Sequence, residues 1–175
     1  MDQILLVAVL SLAALSLLNL VLLLGVVRRI REHEARFTTL AFGPPEVIAP
    51  VGHRVGDFTA VSVDGRPVAS AALDGPTLVG FLSPGCDACH ERLDDFQRAV
   101  AGHPGTALAV VVRDGGDTDS LVAGLAAGGA TVVVEDVAGP LAAAFGVSGF
   151  PAFAILDADG TIRARGYELP LVAAP

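Results

Sequence analysis

The stretch Thr77–His90, TLVGFLSPGCDACH, holds both cysteines of this chain and decides how the rest is read. Its first six residues, TLVGFL, are a continuous apolar run, the pattern of a strand buried on both faces. Directly after it come Cys86-Asp87-Ala88-Cys89 and a segment whose Leu93, Phe96 and Val100 recur at helical spacing, with Asp94 and Asp95 on the other side. The expectation is a buried strand, a sharp turn, and a helix from Cys86 to about Ala101. A CxxC at such a junction is far more specific than a CxxC alone. Disulfide exchange needs a thiolate attacker, and a helix N-terminus favours one through its unpaired N–H groups and its dipole. Cys86 is therefore the expected nucleophile, and Cys89, one turn further in, the residue that resolves the mixed disulfide. Pro84 and Gly85 shape the turn. His90 helps hold negative charge nearby, whereas Asp87 opposes it. Such a carboxylate beside the attacking sulfur argues for a reductase or isomerase over a strong oxidant.

Outward from this block the order of elements reads as α/β. Phe58–Val63 is β-like, and Asp64-Gly65 turns it into Pro67-Val68-Ala69. Ala107–Val112 reads as a second buried strand. Asp117–Ala127 reads as a helix capped by Asp117 or Thr118 and stopped by Gly128-Gly129. Thr131–Val134 is a further strand and Pro140–Phe145 a short helix. Ala152–Leu156 and Thr161–Arg165 make a closing hairpin across Asp157-Ala158-Asp159-Gly160. Gly149-Phe150-Pro151 stands immediately before the Ala152 strand. A proline there can be an ordinary strand-start residue. This order of elements resembles that of thioredoxin folds, which carry a cis proline at this place beside the CxxC; the resemblance implies a cis Phe150–Pro151 bond, leaving the Phe150 backbone free to pair with an extended substrate chain.

Three stretches resemble the TlpA-like thioredoxin superfamily: Gly56-Asp57-Phe58, the FLSPGCDACH block, and VSGFPAFAILDADGTI. Ser83-Pro84-Gly85-Cys86 before the second cysteine is most similar to the methylamine-utilisation (methylamine dehydrogenase accessory) proteins. The resemblance spans roughly Val51 to Gly166. It implies a thioredoxin-like fold, a mixed central sheet flanked by helices, behind one N-terminal membrane span. It also implies a redox-active disulfide at Cys86 and Cys89 and a role in disulfide formation in an exported enzyme. Two departures stand out. Gly85 replaces the tryptophan usual before the first cysteine, and Gly80 occupies the place of thioredoxin's buried carboxylate, removing the usual proton acceptor for Cys89. The nine residues after Gly166 are too few for the last helix of the fold, so Leu169, Leu171 and Val172 are expected to cover that sheet face in part.

The N-terminus is a different substance. Ile4–Val27 carries no charge and is mostly Leu, Val and Ala. As a helix these residues would reach about 36 Å, enough to cross a bilayer core. No basic n-region precedes them and no small-residue cleavage site follows, so an uncleaved single-pass anchor is expected at 4–27. Residues 28–50 read as a juxtamembrane helix and linker, broken at Gly43-Pro44-Pro45, and 51–175 as the thioredoxin-like domain. Arg28, Arg29, Arg31 and Arg36 follow the span, and the positive-inside rule would put the domain in the cytoplasm. Persistence of disulfides pulls the other way, and the domain is expected on the extracytoplasmic side of the cell membrane.

Composition narrows the function classes. The net charge is −8, every cation is arginine, and from Thr38 onward 16 acidic residues face 7 basic ones. That argues against nucleic acid. Two lone cysteines make neither a disulfide framework nor a zinc site, so no metal is expected. No dinucleotide site is visible either. The expected partners are protein disulfide substrates and a membrane dithiol electron donor, with no cofactor. Two alternatives stay open. CDACH matches CxxCH, the attachment motif of c-type haem, with His33, His53 or His103 as a distal ligand. A peroxiredoxin would want proline seven residues before the attacking cysteine, where Val79 stands.

Overall fold

A computed structural model of the chain describes residues 46–73 and 75–171, together with positions 3, 5, 7, 10, 12, 13, 15, 16, 17 and 19. Those ten positions are helical and exposed. Among the described residues no helix is long and apolar enough to cross a membrane. The span expected over 4–27 lies largely outside the described residues, and the helix expected after it lies wholly outside them. A separate compact unit begins at Glu46.

In that unit, strands β1 (Thr59–Val61) and β2 (Pro67–Ala69) form a small antiparallel hairpin. Gly65 takes φ +81° in its turn, which a side chain would resist. A five-stranded sheet follows, built from β3 (Thr77–Leu82), β4 (Thr106–Arg113), β5 (Thr131–Asp136), β6 (Ala152–Leu156) and β7 (Ile162–Gly166). Its order is β5-β4-β3-β6-β7. The first three strands run parallel, and β6 and β7 are antiparallel to their neighbours. Helices α1 (Asp87–Gly102), α2 (Thr118–Ala127) and α3 (Pro140–Phe145) connect them. The expected mixed α/β architecture is present, and most element ends fall within a residue or two of the expected ones.

Strand alternation divides the core in two. Val79, Phe81, Leu108, Val110 and Val112 face one side, where Phe58, Leu141 and Phe145 cover them. Phe145 anchors this layer, with its ring 5.1 Å from Phe81 and 5.9 Å from Phe58. Leu78, Leu82, Ala109, Val111 and Phe153 face the other side, under Phe96 of α1 and Leu121 and Leu125 of α2. Leu169 and Leu171 pack partly against this second layer, as expected, while Val172 lies outside the described residues.

The β5 strand runs two residues past its expected end. Parallel pairing with β4 continues through Val112 opposite Glu135 and Arg113 opposite Asp136. The Glu135 carboxylate is buried and accepts the N–H groups of Leu141 (2.9 Å) and Ala142 (2.8 Å). A strand residue thus caps α3, whose own N-cap, Gly139, has no side chain for the task. Residues 46–49, read from sequence as linker, lie on the domain. Arg165 bonds the Ile48 carbonyl and the Glu46 carboxylate, both at 2.6 Å. Ser148 donates its N–H to the Val47 carbonyl (3.0 Å) and its hydroxyl to that of Glu46 (2.9 Å).

Candidate active site

The β3 strand delivers Ser83 and Pro84, both buried, to the end of the sheet, and there the chain turns. The turn is held by Cys86 N–H on the Ser83 carbonyl (3.3 Å) and by Gly85 N–H on Ser83 Oγ (3.2 Å). Cys86 then serves as the N-cap of α1, with φ −105° and ψ 109°. Its Sγ accepts the Cys89 N–H at 3.2 Å, taking one of the donors a helix start leaves unpaired. The expected helix start at Cys86 is therefore one residue early, because Cys86 is its cap. Asp87, exposed, is the first helical residue.

The two thiols are both free and sit in different surroundings. Cys86 is half-buried; Cys89 is 1% exposed. Cys89 Sγ accepts the Ser83 N–H at 3.5 Å. Burial pushes the Cys89 thiol up to about 12, reinforced by its contact with Cys86 and by the negative charges of Cys86 and Asp114. The Ser83 N–H pulls in the opposite direction.

On the other side of the turn, the Phe150–Pro151 bond is cis, as expected, and Pro151 is buried. The Cys86 thiol donates to the Phe150 carbonyl oxygen at 3.7 Å. Antiparallel pairing of Phe81 with Ala152 places these two residues beside the turn that follows β3. His90, expected to help hold negative charge near Cys86, is engaged at the turn. Its Nε2 lies 2.9 Å from the Pro84 carbonyl, which can only accept, so the ring braces the turn.

Two residues here, Ser83 and Asp114, were given no role at the site from sequence. The Ser83 hydroxyl donates to Asp114 Oδ1 in a short hydrogen bond. Asp114 opens the Asp114-Gly115-Gly116 loop after β4, which lies tightly against the CxxC turn. A Cβ on Gly116 would meet the Pro84 oxygen at 2.7 Å, and one on Gly85 would meet Asp114 Oδ1 at 3.2 Å. The signal was available in principle: β3 and β4 are parallel with Leu82 opposite Val111, so their following loops share one edge.

At Gly80 no carboxylate could fit. A Cβ there would lie 2.6 Å from Phe96 Cε2, and Phe96 stacks on Phe153, the cross-strand partner of Gly80, at 5.6 Å. Among the described residues no group of three or more His, Cys, Asp or Glu is placed to hold a metal ion. Covalent haem does not suit this arrangement, because Cys89 is enclosed and His90 is engaged with Pro84. Val79, where a peroxiredoxin would have proline, is wholly buried on the sheet face away from Cys89.

No protein-family model matches the chain. No curated protein matches it either. Solved structures do. A thio-disulfide isomerase from Thermus thermophilus matches with a TM-score of 0.53 at 20% identity, over 73% of this chain and 88% of that one. The thioredoxin domain of a thiol-disulfide oxidoreductase from Bacteroides vulgatus gives 0.52 at 18% identity, over 67% and 88%. An exposed lipoprotein thioredoxin from Streptococcus pneumoniae gives 0.50 at 24% identity, over 63% and 87%. At these identities the likeness is one of fold. Together with the sheet order and the cysteine pair at the start of α1, it establishes that the unit beginning at Glu46 has a thioredoxin-like fold.

Proposed function

We propose that this chain is a membrane-anchored thiol–disulfide oxidoreductase that reduces or isomerises disulfides in exported proteins. One observation carries the reading: Cys86 Sγ, half-buried at the helix start, accepts the Cys89 N–H at 3.2 Å while Cys89 lies enclosed behind it. One sulfur can be reached by a protein disulfide, and only the other is placed to finish the exchange. Cys86 attacks the substrate disulfide, expelling one substrate sulfur and forming a mixed disulfide. Cys89 then attacks Cys86 Sγ, expelling the second substrate sulfur and closing the Cys86–Cys89 bond. The Phe150 backbone, beside the attacking sulfur, offers an extended substrate segment a place to pair. Asp87 keeps negative charge at the mouth and favours reduction or isomerisation over strong oxidation.

The apolar run 4–27 supports a single-pass anchor, and the similarity to methylamine-utilisation proteins supports an extracytoplasmic domain re-reduced by a membrane dithiol donor. Trapping tests the chemistry. Cys89→Ala incubated with a disulfide-bonded protein should accumulate a covalent adduct through Cys86 that dithiothreitol releases. Cys86→Ala should form none. Adducts through Cys89, or no turnover by the unaltered protein, would overturn the reading.

A further inference from the structure

Ser83 is bonded to both cysteines and to the turn between them, through three different groups. Its N–H donates to Cys89 Sγ at 3.5 Å, and its carbonyl accepts the Cys86 N–H at 3.3 Å. Its hydroxyl oxygen accepts the Gly85 N–H at 3.2 Å, and the hydroxyl proton goes to Asp114 Oδ1. Ser83 is wholly buried directly after β3, whereas Asp114 is exposed directly after β4. Both cysteines are thus referred to one buried residue. That residue is fastened in turn, through its side chain, to the loop of a neighbouring strand.

The composition of the turn makes such a fastening matter. Gly85, immediately before Cys86, is exposed and has no side chain, so its backbone has unusual freedom to lose. A disulfide between Cys86 and Cys89 forms only when the two sulfurs meet in one narrow geometry. A wandering turn lowers their effective concentration towards each other. The Ser83 hydroxyl ties down the Gly85 N–H, but a serine hydroxyl rotates unless its own proton has a fixed acceptor. Asp114 is that acceptor. Its loop is seated on the turn as well: Gly116, at φ +76°, lies so close to Pro84 that a Cβ would come within 2.7 Å of its oxygen.

We infer that Ser83 and Asp114 are positioning residues that hold Cys86 and Cys89 in register for closure of their disulfide. This rests on the exchange reading above. Neither residue gives or takes a proton or an electron. When the pair closes against oxidised glutathione, the two cysteine S–H bonds and the glutathione S–S bond break. The Cys86–Cys89 bond forms, the two protons end on two glutathione thiols, and two electrons pass from the protein to glutathione. The clamp is already made in the open dithiol, so the turn has less freedom left to lose on closing. Its removal shifts the equilibrium towards the open dithiol.

The equilibrium constant of the full-length protein, in detergent, with glutathione redox buffers reads this directly. Ser83→Ala and Asp114→Ala should each lower it about tenfold, the scale of one charge-assisted hydrogen bond. The reduction potential then becomes about 30 mV less negative. The variant lacking both should lose no more than either, because the two residues make one clamp. Asp114→Asn keeps an acceptor for the Ser83 hydroxyl and discards the charge, so it should recover most of the loss. If it is as impaired as Asp114→Ala, charge and not the clamp sets the constant, and the inference is overturned. Losses that add in the double variant would overturn it too. So would an unchanged constant beside a lowered unfolding midpoint, which would make the pair a brace of the fold alone. Asp114 is exposed, so Asp114→Ala keeps the test open should Ser83→Ala not fold. If the unaltered protein forms no Cys86–Cys89 disulfide in any of these buffers, the exchange reading itself falls.

Discussion

Cys86 and Cys89 are chemically identical, and only their environments distinguish them. Cys86 is half-buried at a helix cap, and Cys89 is enclosed by Phe96, Phe153 and the end of β3. Limiting iodoacetamide at neutral pH should therefore modify Cys86 well before Cys89, as peptide mapping would show. Equal labelling would reverse the assignment of roles. The enclosed thiol also ties stability to pH. In the unfolded chain it ionises near 9.0, and in the folded protein it keeps its proton to about 12. Between those values the unfolded state holds fewer protons, so stability falls as pH rises, and below 9 this group contributes no slope. Urea unfolding of the reduced protein across that window should show the loss, and Cys89→Ala should flatten it. The cysteine pair and the Phe150–Pro151 bond were legible because each lies within a short contiguous motif. Ser83–Asp114 was not, since 31 residues separate the partners and only the parallel register joins them.

Elements were legible where apolar runs were bounded by glycine, proline or a capping side chain. The β3, α3 and β6 segments have the expected ends. The β5 strand does not, because Glu135 and Asp136 read as the end of an apolar run while the neighbouring strand goes on pairing with them. Gly80 shows the same limit from inside a strand. Its residue type looks like a missing carboxylate, yet the packing makes it the floor beneath Phe96. Gly80→Ala should cost about 1–3 kcal/mol of unfolding free energy by overpacking. Calorimetry would show a lowered midpoint, and an unchanged midpoint would mean that Phe96 moves freely. At Glu135, Gln keeps one acceptor oxygen for two N–H donors. Glu135→Gln should cost about 1–2 kcal/mol, the range of a lost helix cap. Urea unfolding would read that difference, and a neutral result would show that α3 does not need the clamp.

At the scale of the whole molecule, the proposal of an extracytoplasmic domain behind a membrane anchor makes a prediction in cells. A membrane-impermeant maleimide applied to intact, reduced cells should reach Cys86. Labelling only after lysis would place the domain in the cytoplasm and shift its role to a general thiol reductase at the inner face. The conflict between the arginines at 28–36 and the redox chemistry cannot be read away from residues, because charge bias and compartment are independent physical constraints. The attachment of residues 46–49 has a mechanical consequence. A pull travelling down the chain from residue 45 is borne first by Glu46–Ala49. These residues are fastened to Phe145, Ser148 and Arg165. Tension is thereby delivered two residues from Phe150, whose carbonyl oxygen lies 3.7 Å from Cys86 Sγ. Residues 46–49 and the Cys86 sulfur thus meet on the two ends of one loop, Phe145–Phe150, so a load on the first would be felt at the second.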